Sequence, residues 1–191
     1  MRTMTLKKGG TDFSPGWKQV TISKAQYGDW QGTKYLDIWF EGYPESLNAR
    51  IYAKNGQNGE EFAIGQVFRF ANAGISGGLE GADGTTVMRI DDEASNLIGK
   101  QVNVYFYKDG DYSRALKQVA PTVFTNDVEG FSENDVTFWK NKAETYFKDY
   151  VANLNIRLTI KRKLTKDLVR VNYIHFRRLT PLKNKRVMSG V

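Results

Sequence analysis

The chain has no cysteine, a single histidine and only four prolines in 191 residues. Without cysteine there can be no disulfide and no thiolate metal site, and a reducing compartment suits the chain. With His175 as the lone imidazole, the usual His/Cys metal sites cannot be assembled. His175 stands in a strand-like run among Tyr173, Ile174, Phe176 and Arg177 and reads as a structural residue. Long apolar runs are also missing: nothing approaches the ~20 residues that cross a bilayer as a helix. The start, Met1–Gly16, is polar and basic and lacks the apolar stretch of a signal peptide. Together these absences lead us to expect a soluble protein with no membrane partner, placed in the cytoplasm (the host cytoplasm if the chain is viral).

Acidic residues are scarce in one place. From Ile156 to Val191 eleven Lys and Arg face a single acid, Asp167, so this segment carries +10 and the preceding 155 residues −3. A field so concentrated attracts polyanions, of which nucleic acid is the commonest. A solvated basic tail is the plainer reading of the same charge. Elsewhere the chain is built to fold: 40% of it is apolar, with four Trp, ten Tyr and eleven Phe. Its length suits one domain of roughly 100–150 residues and an extension.

Short alternating stretches dominate the first two-thirds. Trp17–Ile22, Lys34–Glu41, Leu47–Ala53, Gln66–Ala71, Thr86–Ile90, Lys100–Tyr107 and Tyr112–Val119 read as strands. Gln26–Thr33 reads as a turn-rich connection, and Asn72–Thr85, with five Gly in fourteen residues, as a mobile loop. Asp91–Ile98 reads as a short helical turn and Lys108–Asp111 as a hairpin turn. At Ser132–Leu154 the period changes: Val136, Trp139, Ala143, Tyr146/Phe147 and Tyr150 recur at helical spacing, behind a cap formed by Ser132 and Asp135. Beyond it, Asn155–Arg162 and Leu168–Arg178 alternate like two strands joined by Lys163–Asp167, and Pro181–Val191 reads as a disordered tail. The expected fold is mainly β (β+α). Residues 1–122 would form an OB-fold-like barrel that binds nucleic acid, and residues 123–191 an amphipathic helix with a basic β-hairpin extension.

Chemistry finds few residues to work with. The glycines at 74, 77, 78, 81 and 84 lack dinucleotide-fingerprint spacing, and Gly99–Lys100 lacks the P-loop's preceding glycine. Asp91–Asp92–Glu93 could contribute to a hard-cation site, but acids at a helix start need no metal. No enzyme activity, metal or cofactor is expected. The aromatics say more. Leu36, Ile38, Phe40, Leu47, Ala49, Ile51, Val102, Val104 and Phe106 form one apolar set along three alternating strands. The opposite faces then carry Tyr35, Trp39, Arg50, Tyr52, Tyr105 and Tyr107. Rings and a guanidinium on the wet side of a sheet suit base stacking. A helix lying over the sheet would instead make those rings a second core, an alternative with most weight for Tyr105 and Tyr107.

Phe13–Ile22 (FSPGWKQVTI), Gln31–Leu36 (QGTKYL) and Leu97–Val102 (LIGKQV), followed by Tyr112, resemble phage-encoded OB-fold single-stranded DNA-binding proteins over about residues 5–122. The resemblance implies sequence-tolerant binding of single-stranded DNA in phage DNA replication or recombination, with DNA contacts at Lys34, Tyr35 and Lys100. Many such proteins end in an acidic tail that recruits partners. This chain ends basic, so the extension is itself expected to bind DNA through Lys161, Arg162, Lys163, Arg170, Arg177 and Arg178. The expected partner is single-stranded DNA, or RNA, with self-association or replication proteins as further partners. Two other readings stay open: a structural or assembly protein of a virion or nucleoprotein complex, and an enzyme using a carboxylate-bound metal.

Overall fold

The computed structural model describes residues 14–57, 61–80 and 86–153. Two compact units divide the chain, Met1–Phe147 and Lys148–Val191. The first holds the fold. The expected basic hairpin and tail lie outside the described residues.

A five-stranded antiparallel sheet runs in the order β3-β2-β1-β6-β7. Its strands are β1 (Gly16–Trp30), β2 (Thr33–Phe40), β3 (Ala49–Tyr52), β6 (Gln101–Asp109) and β7 (Tyr112–Ala115). Between β3 and β6 the chain forms helix α1 (Ala63–Phe70), the hairpin β4 (Ile75–Glu80) and β5 (Thr86–Ile90), and a 3₁₀ turn at Ala94–Leu97. A short ribbon, β8 (Phe124–Thr125) and β9 (Gly130–Phe131), leads into helix α2 (Glu133–Tyr146), which continues as a π-helical stretch. The protein is therefore mainly β with a C-terminal helix. Among the described residues β3 and β7 share no ladder, so the sheet coils without closing into a barrel.

β1 decides that shape. Its first half, Gly16–Thr21, pairs with β6 and its second half, Ile22–Trp30, with β2. A register shift between Ile22 and Lys24 marks the bulge where it bends from one partner to the other. The stretch expected as a turn-rich connection, 26–33, is therefore mostly strand. Only Gln31 and Gly32 turn, both at positive φ (52° and 78°), as a tight two-residue hairpin demands. Asp29 Oδ1 accepts from the Gly32 N–H at 2.9 Å and fixes that turn.

The expected apolar set is the core: Leu36, Ile38, Phe40, Leu47, Ala49, Ile51, Val102, Val104 and Phe106 are all buried, together with Val20 and Ile22. Gln66–Ala71, expected as a strand, lies largely in α1 instead. Ile64, Val67, Phe68 and Ala71 are buried at helical spacing and join the core, which outweighs the strand-like pair Phe68 and Phe70. Glu61 secures this helix start: its carboxylate accepts from the N–H groups of Ala63, Ile64 and Gly65 at 2.8–3.1 Å. The expected loop at 72–85 is in part strand, because Ile75–Glu80 pairs with Thr86–Ile90. Gly74 starts it at φ 65°, where an added Cβ would sit 2.0 Å from the Asp91 carbonyl oxygen, so only glycine fits.

α2 begins where the sequence placed it. Ser132 and Asp135 form a reciprocal capping box, with Ser132 N–H donating to Asp135 Oδ2 at 2.8 Å and Asp135 N–H to Ser132 Oγ at 3.3 Å. The Ser132 hydroxyl and N–H hold the Asp135 carboxyl below its ordinary pKa. Ser132→Ala is expected to cost about 1 kcal/mol near neutral pH. A carboxyl depressed in the folded state stabilises fully above its unfolded pKa of about 3.9, and that contribution fades as pH falls through the lower folded value. Thermal melts of wild type and Ser132→Ala should therefore draw closer on acidification, keeping the part owed to the Asp135 N–H bond to Ser132 Oγ, which does not titrate; a gap that does not narrow would refute this account of the carboxylate.

Candidate functional site

The outer face of the sheet divides in two. On the β6 side α2 crosses it. Trp139 packs on Phe70 of α1, with ring centres 4.9 Å apart. One to two turns later Glu144 accepts from Trp17 Nε1 at 2.8 Å, and Phe147 meets Tyr105 and Tyr107 at 5.2 and 4.9 Å. Burial raises the Tyr107 hydroxyl pKa above its ordinary value. Tyr105 and Tyr107 thus lie half-buried under the end of the helix, with Trp17 edge-on to Tyr105. The second-core alternative describes these two rings.

On the β2–β3 side the face is open, and its side chains form a stripe of two linked groups: Lys24 with Trp39, and Asp37 through Arg50, Tyr35 and Tyr52 to Lys117. Asp37 lies buried beneath Arg50, which grips it with both prongs: Nε to Oδ1 at 2.8 Å and Nη2 to Oδ2 at 2.6 Å. The pair cancels its own charge, so Arg50 is a poor candidate for phosphate capture and a good one for presenting a flat cation. Its guanidinium carbon stands 4.0 Å from the Tyr35 ring centre. Tyr35 in turn meets Tyr52 edge-on at 5.7 Å. At one end Lys24 stands over Trp39 at 4.6 Å, and the Trp39 indole N–H donates to the Glu45 carbonyl at 3.0 Å. At the other end Lys117 stands over Tyr52 at 5.1 Å.

Gly28 makes this arrangement possible. It pairs with Tyr35 across β1 and β2, and a Cβ there would fall 2.3 Å from the Tyr35 ring. The ring occupies the space that any side chain on Gly28 would fill.

Comparison with protein-family models, with curated proteins and with solved structures returned no match. The chemistry of the site must speak for itself.

Of the residues expected at a site, Tyr35, Trp39, Arg50 and Tyr52 come together on the open face. Lys100 is exposed beside the β1 bulge, where its carbonyl accepts from Ile22 N–H at 2.8 Å. Lys34 is exposed at the start of β2 and lines a separate cleft with Asp29, Glu61 and Asp92. Lys161, Arg162, Lys163, Arg170, Arg177 and Arg178 lie outside the described residues. Among those described, no group of His, Asp or Glu is arranged to hold a metal ion, Asp91–Asp92–Glu93 included.

Four residues were missed. Lys24 and Lys117 are single cations in stretches without a charge pattern; β1–β2 pairing sets Lys24 against its ring, and Lys117 reaches Tyr52 from outside any ladder. Trp30 and Tyr112 are 58% and 70% exposed, each flanking a hairpin turn at one end of the sheet. A large ring next to a turn was the available signal for both.

Gly28→Ala tests the site without removing any of its side chains. The overlapping atoms are the far end of a flexible side chain, so the melting temperature is expected to move by no more than a few degrees. The Tyr35 ring must lift, taking its contacts with Arg50 and Tyr52. Tyr fluorescence or aromatic proton shifts should report that change; an unperturbed Tyr35 in the folded variant would contradict the packing described.

Proposed function

We propose that this protein binds single-stranded nucleic acid, DNA in the first instance, on the open half of its sheet and without catalysis. The observation that carries the reading is the outward row of Trp39, Arg50, Tyr35 and Tyr52 on the second and third strands of a coiled five-stranded sheet, with Lys24 over Trp39 at one end and Lys117 over Tyr52 at the other. That is the face on which OB-type sheets take oligonucleotides, with help from the loops joining strands 1–2 and 4–5. Here the corresponding hairpins present Trp30 and Tyr112, their exposed rings flanking the face.

The stripe suits bases better than a duplex. Trp39, Tyr52 and the plane of Arg50 offer flat surfaces to unpaired bases, while Tyr35, held between Gly28 and Arg50, positions the others. Every base has a π-face, so such a site tolerates most sequences. With Arg50 neutralised by Asp37, phosphate attraction falls to Lys24, Lys117 and Lys100. Long-range attraction falls to Ile156–Val191, whose +10 offsets the −3 of the remainder. A role in phage DNA replication or recombination rests on the sequence resemblance alone.

Trp39→Ala and Tyr52→Ala are each expected to weaken binding of an oligo-dT strand by about 1–3 kcal/mol while the protein stays folded. Arg50→Ala is expected to behave differently: it strands the buried Asp37 carboxylate and should cost about 1–3 kcal/mol of stability. Fluorescence anisotropy and thermal melts separate the two effects. Full affinity in both folded ring variants would overturn the assigned face.

A further inference from the structure

Where the stripe reaches Tyr52, the sheet has an open seam. β7 ends at Ala115, Leu116 N–H still donates to the Tyr105 carbonyl of β6 at 2.9 Å, and the chain meets β6 again at the Asn103–Ala120 bridge, leaving 117–119 outside any ladder. Between this segment, the β3 edge and the start of α1 lies a cleft of about 190 Å3. Ile51, Val67 and Val119 line it from the core side, Tyr52, Phe62 and Tyr146 of α2 are its rings, and Lys54 and Lys117 are its cations. Phe62 is 49% exposed just ahead of α1. The cleft is smaller than the ~300–1,000 Å3 pockets that enclose drug-sized ligands and suits one planar ring system.

We infer that this cleft receives a single unpaired nucleobase at the end of the strand path, with Lys54 and Lys117 taking the flanking phosphates. The inference rests on the single-strand reading of the open face and adds to it a direction. Lys117 belongs to both sites, standing over the Tyr52 ring and lining the cleft, so a backbone leaving Tyr52 meets a cation at the entrance. The neighbouring cleft, about 610 Å3, repels the same backbone: Asp29, Glu61 and Asp92 line it against Lys34 alone. Two of its carboxylates are held in place, Glu61 by the N-terminus of α1 and Asp92 by the Tyr27 hydroxyl at 3.3 Å. The charges at the two clefts therefore choose the exit.

The test uses the full chain and oligo-dT strands carrying one 5-iododeoxyuridine, photocrosslinked and mapped by mass spectrometry, with affinities of Phe62→Ala and of Lys54→Gln/Lys117→Gln alongside. A crosslink at Phe62 is expected, a ring of the cleft and not of the open face, with Phe62→Ala binding roughly 5- to 150-fold more weakly. The double Lys variant should lower the slope of log K against log salt by about 1.4, two phosphate contacts at 0.7 each. Crosslinks confined to Trp39, Tyr35 and Tyr52, with Phe62→Ala at wild-type affinity, would empty the cleft and leave the open face standing. Failure of the wild-type chain to bind oligo-dT at all would remove both.

Discussion

A strand of fifteen residues that must serve two partners cannot stay straight, and the bend of β1 at Ile22–Lys24 governs both the core and the outer face. Before the bulge β1 belongs with β6; after it, with β2. The coil that results wraps the inward rows of β1, β2, β3 and β6 around one core, which α1 joins with Ile64, Val67 and Phe68. It also divides the outer face. The half carrying Trp17 and Tyr105 turns toward α2, while Lys24, Trp39 and Tyr35 stand on the other half, which meets the helix where Tyr52 and Tyr146 line one cleft. Open half and covered half both follow from the bend of one strand.

Electrostatics on the open half work by restraint. Asp37 takes the charge of Arg50 and fixes its plane, so the guanidinium acts as a flat surface more than as a net charge. Lys24 and Lys117 stand over rings. A face built this way offers affinity through stacking, which changes little with salt, while phosphate contacts change steeply with it. Under the proposed function this would divide the labour with the +10 segment, one part of the chain holding bases and the other drawing the polyanion in.

Several elements were legible in the sequence because one signal dominated each. β2, β3 and β6 alternate strictly, and burial on one face is what alternation encodes. The Ser132–Asp135 box is a local motif whose bonds span three residues. Other elements were hidden where two signals competed. Phe68 and Phe70 alternate like a strand, yet Ile64, Val67 and Phe68 share a helical stripe, and burial of that stripe, with the Glu61 carboxylate on the first N–H groups, favours the helix. Gly28 and Asp29 resemble turn residues, but Gly28 is small because the Tyr35 ring lies across it, a contact between two strands. Tyr105 and Tyr107 follow the same pattern as Tyr35 and Tyr52; what separates them is which half of the face α2 crosses, a matter of tertiary packing. For the same reason Lys24 and Lys117 carried no signal until the rings beneath them were placed.

With stacking of unpaired bases proposed as the source of affinity, the most direct measurement compares labelled oligo-dT with duplex DNA of the same length at two salt concentrations, with tryptophan fluorescence as the readout. Preference for the single strand that persists at the higher salt, with quenching on binding, is the predicted result. Equal or tighter binding of duplex, lost at the higher salt and without quenching, would show that charge alone holds the nucleic acid and would contradict it.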